Sequence, residues 1–567
     1  MPLLAKARLT KLLGLCWLSV LAAAIIISAS HANKRTLTVS EYPSGCDAFG
    51  YLVMAKEVRR AANHRELPQF VLESPQSRLL IESMKSQDVP VTNWQELVAP
   101  LGARYFPKAD HIGVQYPPGT ALALALFPEK TSVHRLNRIV FLSLTALGVL
   151  ALLYASSKRA WLFAGFVALT CYLSFEILSE IGNMSFSINA LLLPLALACV
   201  MLFVSRHLMW EKQRAAWWTA LAGGLLLGFA VLIRMPVILL VPGCVILLWP
   251  ERWIPKIKDA VIAFGLGLFF GGVLPLMIHQ QRISGAWYLP TYASADTAAP
   301  SLRLGLLKSN LAFYFANGPG SRHNWALYIL CVGLAGLLLL KPVVQSARRV
   351  LSRRRIILSA LTLWAVPTAF FLTHIVPVAY YAVPATFATA MFVTFAAFSI
   401  ETATGDVAEH ASLAWLRSLR WGFLLFAILP GVVTIERVAS ANDAAYDVTE
   451  ETYPDLTIPA ELAEPRAWVW SESLSGTLWY YAGKPAFKYG WTDAKTRAFA
   501  YRLAFERNEP QYIIRDRADI ESLLTEISNL GGVLEQRGVL DGYAYYLIRW
   551  PAGGPTKPST TTLEDRE

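Results

Sequence analysis

The side chain best suited to acid–base chemistry follows soon after the first apolar segment of the chain. Residues 42–51 read Tyr-Pro-Ser-Gly-Cys-Asp-Ala-Phe-Gly-Tyr and lead into a run with helical spacing of apolar residues. This places Asp47 at a helix N-terminus, where a carboxylate can act as general base on a hydroxyl group. The pattern Ser44-x-x-Asp47 equally fits a capping box, in which Asp47 only compensates free backbone N–H groups. Tyr51, the last residue of the stretch 42–51, is a candidate for lining a substrate cavity.

A second distinctive stretch, residues 114–119, reads Val-Gln-Tyr-Pro-Pro-Gly and precedes an apolar run at 120–127 and Pro128. About nine residues are too few to cross a bilayer, so we expect a helix that lies in the membrane interface or re-enters it. The two prolines favour an extended backbone before that helix and a sharp turn where the helix begins. Further expected cavity-lining residues are His111, Tyr116, Pro117, Pro118 and Gly119. The alternative is a structured turn that only seats this loop on the membrane.

Two acidic residues close an apolar run elsewhere in the chain. Glu176 and Glu180 are one helical turn apart and face the same side. Acidic groups at membrane depth are costly and usually functional, whereas at the interface they are simply solvated. We take Glu180 as a candidate second catalytic carboxylate.

Several cations could bind a phosphate group. Arg234 stands at the end of an apolar run, two residues before Pro236. Its guanidinium is a fork-shaped donor that suits phosphate, although an arginine there can also extend to the lipid headgroups. Further candidates for phosphate or acceptor binding are Arg282, Lys308, Arg322, His323 and His374. Of these, Arg282 and Arg322 are assigned to phosphate and His374 to the cavity wall.

The composition indicates that most of these residues belong to a membrane protein. The chain has 567 residues, of which 55% are hydrophobic and only 16% charged. A soluble protein carries about 25% charged residues, so this chain has too little polar surface to cover its apolar side chains. The six cysteines are scattered and show no disulfide framework or zinc-binding spacing.

About eleven apolar runs have the length of a transmembrane helix, which needs about 20 residues. They lie near 12–30, 134–156, 160–178, 185–204, 216–233, 236–250, 259–278, 324–340, 356–374, 379–400 and 420–435. Residues 1–30 could also be a signal peptide, since Ser28-Ala29-Ser30 resembles a cleavage site. The many later runs favour an uncleaved first helix.

The distribution of basic residues predicts the orientation of these spans. With the N-terminus in the cytoplasm, the basic residues of the short loops fall almost entirely on the cytoplasmic side. The net charge of +11 is therefore explained by the orientation of the spans in the membrane, and we expect no nucleic-acid partner. Three hydrophilic pieces then lie outside the cytoplasm: a first loop (about 31–133), a middle loop (about 279–323) and a C-terminal region from about 436.

We therefore expect a transmembrane domain over 1–435 and a small extracytoplasmic α/β domain over 436–550. Strand-like runs occur at 467–470, 511–514 and 543–550, and a helix-like run occurs at 520–530. Residues 551–567 are rich in Pro, Gly, Ser and Thr and are predicted to be disordered.

Three of these features together resemble the GT-C superfamily of membrane glycosyltransferases, in particular its protein O-mannosyltransferase and lipid A aminoarabinose transferase branch. They are Asp47 in the first loop, the Tyr-Pro-Pro-Gly turn at 116–119, and a glycine-bearing helix, 224–233, that ends in Arg234 and Pro236. The resemblance covers roughly residues 12–340. Many relatives carry a second acidic residue directly after the first-loop aspartate, whereas here Ala48 follows.

The resemblance implies a polytopic α-helical enzyme of the bacterial inner (plasma) membrane. It would transfer a hexosyl or pentosyl group from a polyprenyl-phosphate donor to a cell-envelope glycan, lipid or protein outside the cytoplasm. Asp47 would be the general base, and Arg234 would stabilise the departing phosphate. The sequence requires no cofactor and permits a divalent metal ion. The alternative is a lipid or glycan transporter without transferase activity, although paired repeats and charges near mid-membrane, typical of transporters, are absent from the sequence.

Overall fold

A computed structural model describes residues 2–37, 46–158, 160–180, 186–210, 213–249, 258–291, 303–317, 352–374, 379–405, 456–490, 492–516 and 520–556. The helices in these ranges are α1 Pro2–Leu37, α2 Cys46–His64, α3 Pro75–Ser86, α4 Val91–Trp94, α5 Gly119–Ala125, α6 Ser132–Lys158, α7 Trp161–Glu180, α8 Phe186–Trp210, α9 Ala215–Ile233, α10 Val241–Leu248, α11 Lys258–Leu268, α12 Leu274–Ser284, α13 Leu307–Ala312, α14 Ser352–Thr373, α15 Val383–Gly405, α16 Ala460–Ala463, α17 Ser475–Ala482, α18 Ala494–Glu506 and α19 Ile520–Asn529. The strands are β1 Ala103–Phe106, β2 His111–Val114, β3 Trp468–Trp470, β4 Ala486–Phe487, β5 Gln511–Ile514, β6 Val533–Leu540 and β7 Tyr543–Arg549.

The chain folds into two compact units. The helical unit comprises Met1–Val39, Ser132–Pro275 and Pro300–Glu451. The mixed unit comprises Ser40–Thr131, Leu276–Ala299 and Thr452–Glu567. The first loop and the C-terminal region of the sequence therefore belong to one and the same unit.

Among the described residues, six helices are long and apolar enough to cross a membrane. Their apolar segments are Leu15–Ala32, Glu129–Lys158, Leu162–Ser179, Ser187–Met209, Ala215–Ile233 and Asp259–Ser284. Three other expected spans are found as shorter apolar helices, at Met235–Leu248, Leu358–Thr373 and Val383–Phe398. The expected spans at 324–340 and 420–435 lie outside the described residues. The protein is thus mostly helical, and the predicted number of eleven spans stays a prediction.

The glycines at 224 and 228 make a close helix contact in the helical unit. A methyl group at Gly224 would lie 2.2 Å from the carbonyl oxygen of Phe264 on α11. One at Gly228 would lie 2.7 Å from the backbone nitrogen of Gly272, in the π-helical segment Phe269–Val273. Because backbone atoms cannot rotate aside, only glycine allows this approach, as is common between membrane helices.

We expect Gly224→Leu to lower the midpoint of thermal unfolding in detergent. The leucine must push α9 away from α11, and overpacking of this kind costs about 1–3 kcal/mol of the free energy of unfolding. Gly265→Leu on α11 is the matched control, because a methyl group at Gly265 would meet no atom within 4 Å. Equal midpoints for the two variants would contradict this account of the α9–α11 contact.

In the mixed unit, the first loop forms α2 to α5 and a β-hairpin. The hairpin pairs β1 with β2 in antiparallel register, from Ala103 opposite Val114 to Phe106 opposite His111. Ser74 caps α3, since its hydroxyl accepts a hydrogen bond from the backbone N–H of Ser77 at 3.0 Å. The second strand of the hairpin leads directly into the Tyr-Pro-Pro-Gly turn and α5.

The C-terminal region of the mixed unit is built on a five-stranded sheet with the order β4-β3-β5-β7-β6. β3 is parallel to β4 and β5, and α17 and α18 make the crossover connections that parallel strands need. β7 pairs antiparallel with β5 and with β6, which it joins through the tight turn at Asp541 and Gly542. The predicted strands and the helix at 520–530 are present, whereas β4 and the exposed β6 lack a strong sequence pattern.

Pro551–Thr556 are ordered, although the sequence predicts disorder for residues 551–567. These residues pack on the C-terminal region. The backbone N–H of Thr556 donates to the carbonyl of Leu530 at 3.0 Å, and Arg502 donates to the carbonyl of Pro555 at 2.6 Å. These long-range hydrogen bonds hold a segment whose composition alone is typical of disorder. Residues 557–567 lie outside the described residues.

Candidate functional site

Asp47 lies in the first turn of α2, the position that the sequence predicts. The helix begins at Cys46, so Asp47 is its second residue, close to the positive end of the helix dipole. Ser44 lies outside the described residues. The capping box and the general-base role of Asp47 therefore both stay predictions.

The helix that carries Asp47 packs against the Tyr-Pro-Pro-Gly turn. Tyr51 lies four residues after Asp47, which is about one helical turn further along α2. Its ring centroid is 4.9 Å from that of Tyr116, with 43° between the planes. Both tyrosines are buried. Two segments that were separate candidates in the sequence thus meet in the mixed unit.

The Tyr-Pro-Pro-Gly turn is buried, and hydrogen bonds hold the backbone at its beginning. Nε2 of His279, a buried residue of α12, lies 3.1 Å from the carbonyl oxygen of Tyr116, which accepts the hydrogen bond. The hydroxyl of Thr291 donates to the carbonyl of Gln115 at 2.7 Å. Both partners come from the segment after 276, and they are 163 and 176 residues further along the chain than the groups they bind. Sequence reasoning missed His279, because one histidine in an apolar helix carries no distinguishing pattern.

Arg59 ties the short helix α5 to α2. Its Nε and Nη2 donate to the carbonyl oxygens of Phe127 and Leu124, both at 2.9 Å. Leu124 lies in the last turn of α5, where its carbonyl also accepts from the backbone N–H of Phe127 at 3.1 Å, and Phe127 follows the helix. The side chain of Arg59 therefore closes the C-terminal end of α5 and fixes it to the helix that carries Asp47.

His111 lies apart from this contact. It opens β2, and an extended strand rises about 3.3 Å per residue, so its backbone is about 10 Å from that of Val114 at the other end. Burial lowers the pKa of His111, an effect opposed by the charge of Glu73 and by backbone hydrogen bonds to Ala109 and Ile283. The imidazole is therefore neutral near pH 7. Its role in lining a cavity stays a prediction.

We expect His111 to make the stability of the protein depend on pH. Since its pKa is lowered from the ordinary 6.5, the unfolded chain binds more protons just below that value. Stability should therefore increase as the pH rises toward 6.5 and be complete above it. The loss in unfolding temperature between pH 7.5 and 5.5 (about one unit either side of the ordinary histidine pKa) should be smaller in His111→Gln than in the wild type. His64→Gln, which changes an exposed histidine of the same unit, is the control, and equal losses in all three proteins would contradict the prediction.

Hydrogen bonds also hold the loop next to His111. The carboxylate of Asp110 accepts from Lys85 at 2.6 Å and from the hydroxyl of Tyr105 at 2.7 Å. The Lys85 ammonium and the Tyr105 hydroxyl lower the pKa of Asp110 to about 2. Asp110 therefore stays ionised through the pH range in which His111 titrates.

Four of the candidates for phosphate or acceptor binding lie in the predicted middle loop. Arg282 on α12 is exposed and donates to the carbonyl of Pro68 at 3.2 Å. Lys308 is exposed on α13. Arg322 and His323 lie outside the described residues. The roles of these residues in phosphate or acceptor binding stay predictions.

Arg234 is buried in the helical unit, at the junction of α9 and the 3₁₀ turn Met235–Leu240. Its backbone is extended there (φ −142°, ψ 111°), which breaks the helix and redirects the chain before Pro236. Nε of Arg234 donates to the hydroxyl of Ser187 at 2.6 Å, and the guanidinium carbon lies 4.0 Å from the ring centroid of Tyr380. The side chain is thus held in place by its neighbours, and its role in phosphate binding stays a prediction.

These contacts bring residues from three separate helix ends together in the helical unit. Ser187 is near the start of α8, Arg234 follows α9, and Tyr380 precedes α15. In the sequence they are close to residues 179–184, 234–235 and 375–378, which the charge distribution predicts to lie on the same side of the membrane. Glu180 is the last residue of α7, so its backbone also lies at a helix end, within the first of these ranges. Its catalytic role stays a prediction.

His374 lies in the same unit, just after α14. Its ring packs on those of Tyr381 and Phe370, with centroids 5.0 and 5.2 Å apart. The buried amide of Asn310 donates to the carbonyls of Leu372 and His374 at 3.0 and 2.8 Å, so it caps the end of α14. Sequence reasoning missed Ser187, Tyr380 and Asn310, since nothing in their local sequence marks them.

Within the described ranges, no group of three or more His, Cys, Asp or Glu side chains is placed to hold a metal ion.

No protein-family model and no curated protein matches this chain. It is similar to the solved structure of the oligosaccharyltransferase AglB from Archaeoglobus fulgidus in complex with an inhibitory peptide and a dolichol-phosphate. The identity is 11%, the TM-score is 0.45, and the match covers 93% of this chain and 74% of that one. A second similar structure is the Archaeoglobus fulgidus oligosaccharyltransferase tethered to an acceptor peptide with the NVT sequon through a disulfide bond. Here the identity is 12%, the TM-score is 0.41, and the match covers 88% of this chain and 69% of that one. At this identity and TM-score the likeness carries no conclusion about the activity, substrates or partners of this chain.

Proposed function

We propose that this protein is a membrane glycosyltransferase that moves a sugar from a polyprenyl-phosphate donor to an acceptor outside the cytoplasm. One observation carries the proposal: the helix that begins with Cys46 and Asp47 packs, through Tyr51, on the buried turn at Tyr116. A carboxylate at a helix end next to a rigid turn and a short apolar helix suits a reaction on a lipid-linked substrate.

Asp47 acts as the general base in this proposal. It removes the proton of the acceptor hydroxyl while that oxygen attacks the anomeric carbon of the sugar. The bond from the anomeric carbon to the phosphate oxygen breaks, and polyprenyl phosphate leaves with the electron pair. Because α2 fixes the backbone position of Asp47, the proposal favours an attack from one face of the sugar.

Arg234 stabilises the departing phosphate. Leaving phosphate gains negative charge, and a preorganised guanidinium offers parallel N–H donors to its oxygens. The contacts with Ser187 and Tyr380 support this role, because they hold the guanidinium at a helix junction before any ligand binds. Arg282 and Arg322 are further candidates for phosphate binding, and Glu180 is the candidate for a second carboxylate.

The helical unit supports a donor that stays in the bilayer. Its apolar helices suit the polyprenyl chain, and the sugar phosphate then lies at the ends of the helices, where the Arg234 contacts occur. We place the reaction at the outer face of a bacterial inner membrane, with the N-terminus in the cytoplasm and the C-terminal region outside. The acceptor is a cell-envelope glycan, lipid or protein.

Mass spectrometry tests the proposed activity directly. Envelope glycans, glycolipids and glycoproteins are compared between cells with the gene, cells without it, and deleted cells that express it again. We expect one class of product to lose a single sugar on deletion, to regain it on re-expression, and the lipid-linked sugar to accumulate meanwhile. Identical products in all three strains, with no accumulated donor, would contradict the proposal.

A further inference from the structure

Helix α17 of the C-terminal sheet region packs closely on α2, the helix that carries Asp47. The contact is at Gly476, which is buried in the first turn of α17. A methyl group added there would lie 2.6 Å from Cγ and 2.7 Å from Cβ of Phe49. Phe49 is only two residues after Asp47, so the contact is at the start of α2.

A second contact joins the same two helices further along. The hydroxyl of Tyr480 on α17 donates to Oε1 of Glu129 at 2.9 Å. Nζ of Lys56 on α2 lies 3.6 Å from the same oxygen and 5.6 Å from the centroid of the Tyr480 ring. Since Phe49 and Lys56 are two helical turns apart, contacts with α17 are made over two turns of α2.

The start of α17 is firmly attached to the sheet. The buried carboxylate of Asp516 accepts hydrogen bonds from the hydroxyl of Ser471 at 2.6 Å, the backbone N–H of Leu474 at 2.8 Å and the hydroxyl of Tyr489 at 2.9 Å. The hydroxyl of Ser475 accepts from the backbone N–H of Leu101, in the first loop, at 2.9 Å. The segment before Gly476 therefore has little freedom to move away from α2.

We infer that α17 positions the Asp47 helix for catalysis and that Gly476 is the positioning residue. This inference rests on the proposed function of Asp47. Cβ of Phe49 is fixed to its backbone, so a methyl group at 476 cannot be accommodated by rotating the ring. The start of α2 must move by about 0.8 Å before carbon atoms reach an ordinary separation of about 3.5 Å. A misplacement of about 1 Å can cost about a hundredfold in rate, whereas donor binding at other residues is unaffected.

The test compares Gly476→Ala with the wild type, using the purified full-length protein in lipid nanodiscs and the lipid-linked sugar identified by the deletion experiment. We expect kcat to fall about tenfold or more and KM for the donor to change less than about twofold. Gly553→Ala is the matched control in the same unit, because a methyl group there would meet no atom within 4 Å. The double variant Gly476→Ala with Phe49→Ala removes the Cγ overlap and should recover part of kcat.

Hydrogen exchange separates this inference from the proposed function. Amides in residues 46–64 should exchange faster in Gly476→Ala than in the wild type, while those of the five-stranded sheet keep their rates. Unchanged exchange in α2 would overturn the packing role of Gly476, whatever the activity. Faster exchange with an unchanged kcat, in a protein that Asp47→Asn inactivates, would overturn the positioning role and leave the proposed function standing. If the wild type transfers no sugar, the proposed function and the positioning role both fail.

Discussion

Replacement of Asp47 by asparagine is expected to abolish sugar transfer while the protein still folds and reaches the membrane. Asparagine has nearly the same shape and can still accept hydrogen bonds from backbone N–H groups, but it cannot take the proton of the acceptor. Loss of a general base costs about 10²–10⁴-fold in rate. The rate is measured in membranes supplied with the lipid-linked sugar, together with the amount of folded protein.

Asp88→Asn is the matched control for that experiment. Asp88 lies in the same loop of the sequence, and its backbone is left-handed (φ +52°), a conformation that asparagine tolerates well. This variant should keep near-normal transfer. Near-normal turnover in Asp47→Asn as well would contradict the general-base role and leave the capping interpretation of Asp47.

Replacement of Arg234 by alanine is expected to lower the rate of transfer by about 10²–10³-fold, the usual cost of removing one preorganised donor to a developing negative charge. The apparent affinity for the donor should fall most, because the guanidinium is proposed to bind the phosphate in the substrate and in the leaving group. Arg234→Lys keeps the charge but loses the fork of parallel donors, so we expect an intermediate rate. Initial rates over a range of donor concentrations measure both effects.

Arg206→Ala is the control for loss of a buried arginine. Arg206 is also buried in the helical unit, near the last residue of α8, whereas Ser187, the partner of Arg234, is near its first. The predicted topology puts Arg206 on the cytoplasmic side, away from the donor phosphate. An unchanged donor affinity and rate in Arg234→Ala would remove this residue from the site. An equal loss in Arg206→Ala would assign the effect to folding of the helical unit.

The two substitutions together also discriminate between the transferase and a transporter. A transporter that only moves a glycolipid needs a cation for the phosphate but no proton acceptor for a hydroxyl. Loss of activity in Arg234→Ala with full activity in Asp47→Asn would favour the transporter. Loss in both variants, with unchanged controls, is the pattern expected of a transferase.

Local features of this protein follow from the amino-acid sequence. The apolar runs that form membrane-length helices, the start of α2 next to Asp47 and the strands at 468–470 and 511–514 are all recognisable from short windows of sequence. Helix length, hydrophobic period and turn residues are properties of neighbouring residues, and so they are visible without any tertiary contact. The same holds for the end of α9 at Arg234, where Pro236 interrupts the helix.

The partners of those elements depend on packing between residues that are far apart in the chain. No local pattern joins Tyr51 to Tyr116, His279 to the Tyr116 carbonyl, or Arg234 to Ser187 and Tyr380. The C-terminal sheet region likewise shares a unit with the first loop, although more than 300 residues separate them in sequence. Such contacts arise when buried surfaces fit together, and the fit depends on the shape of both partners rather than on the residue types in either segment.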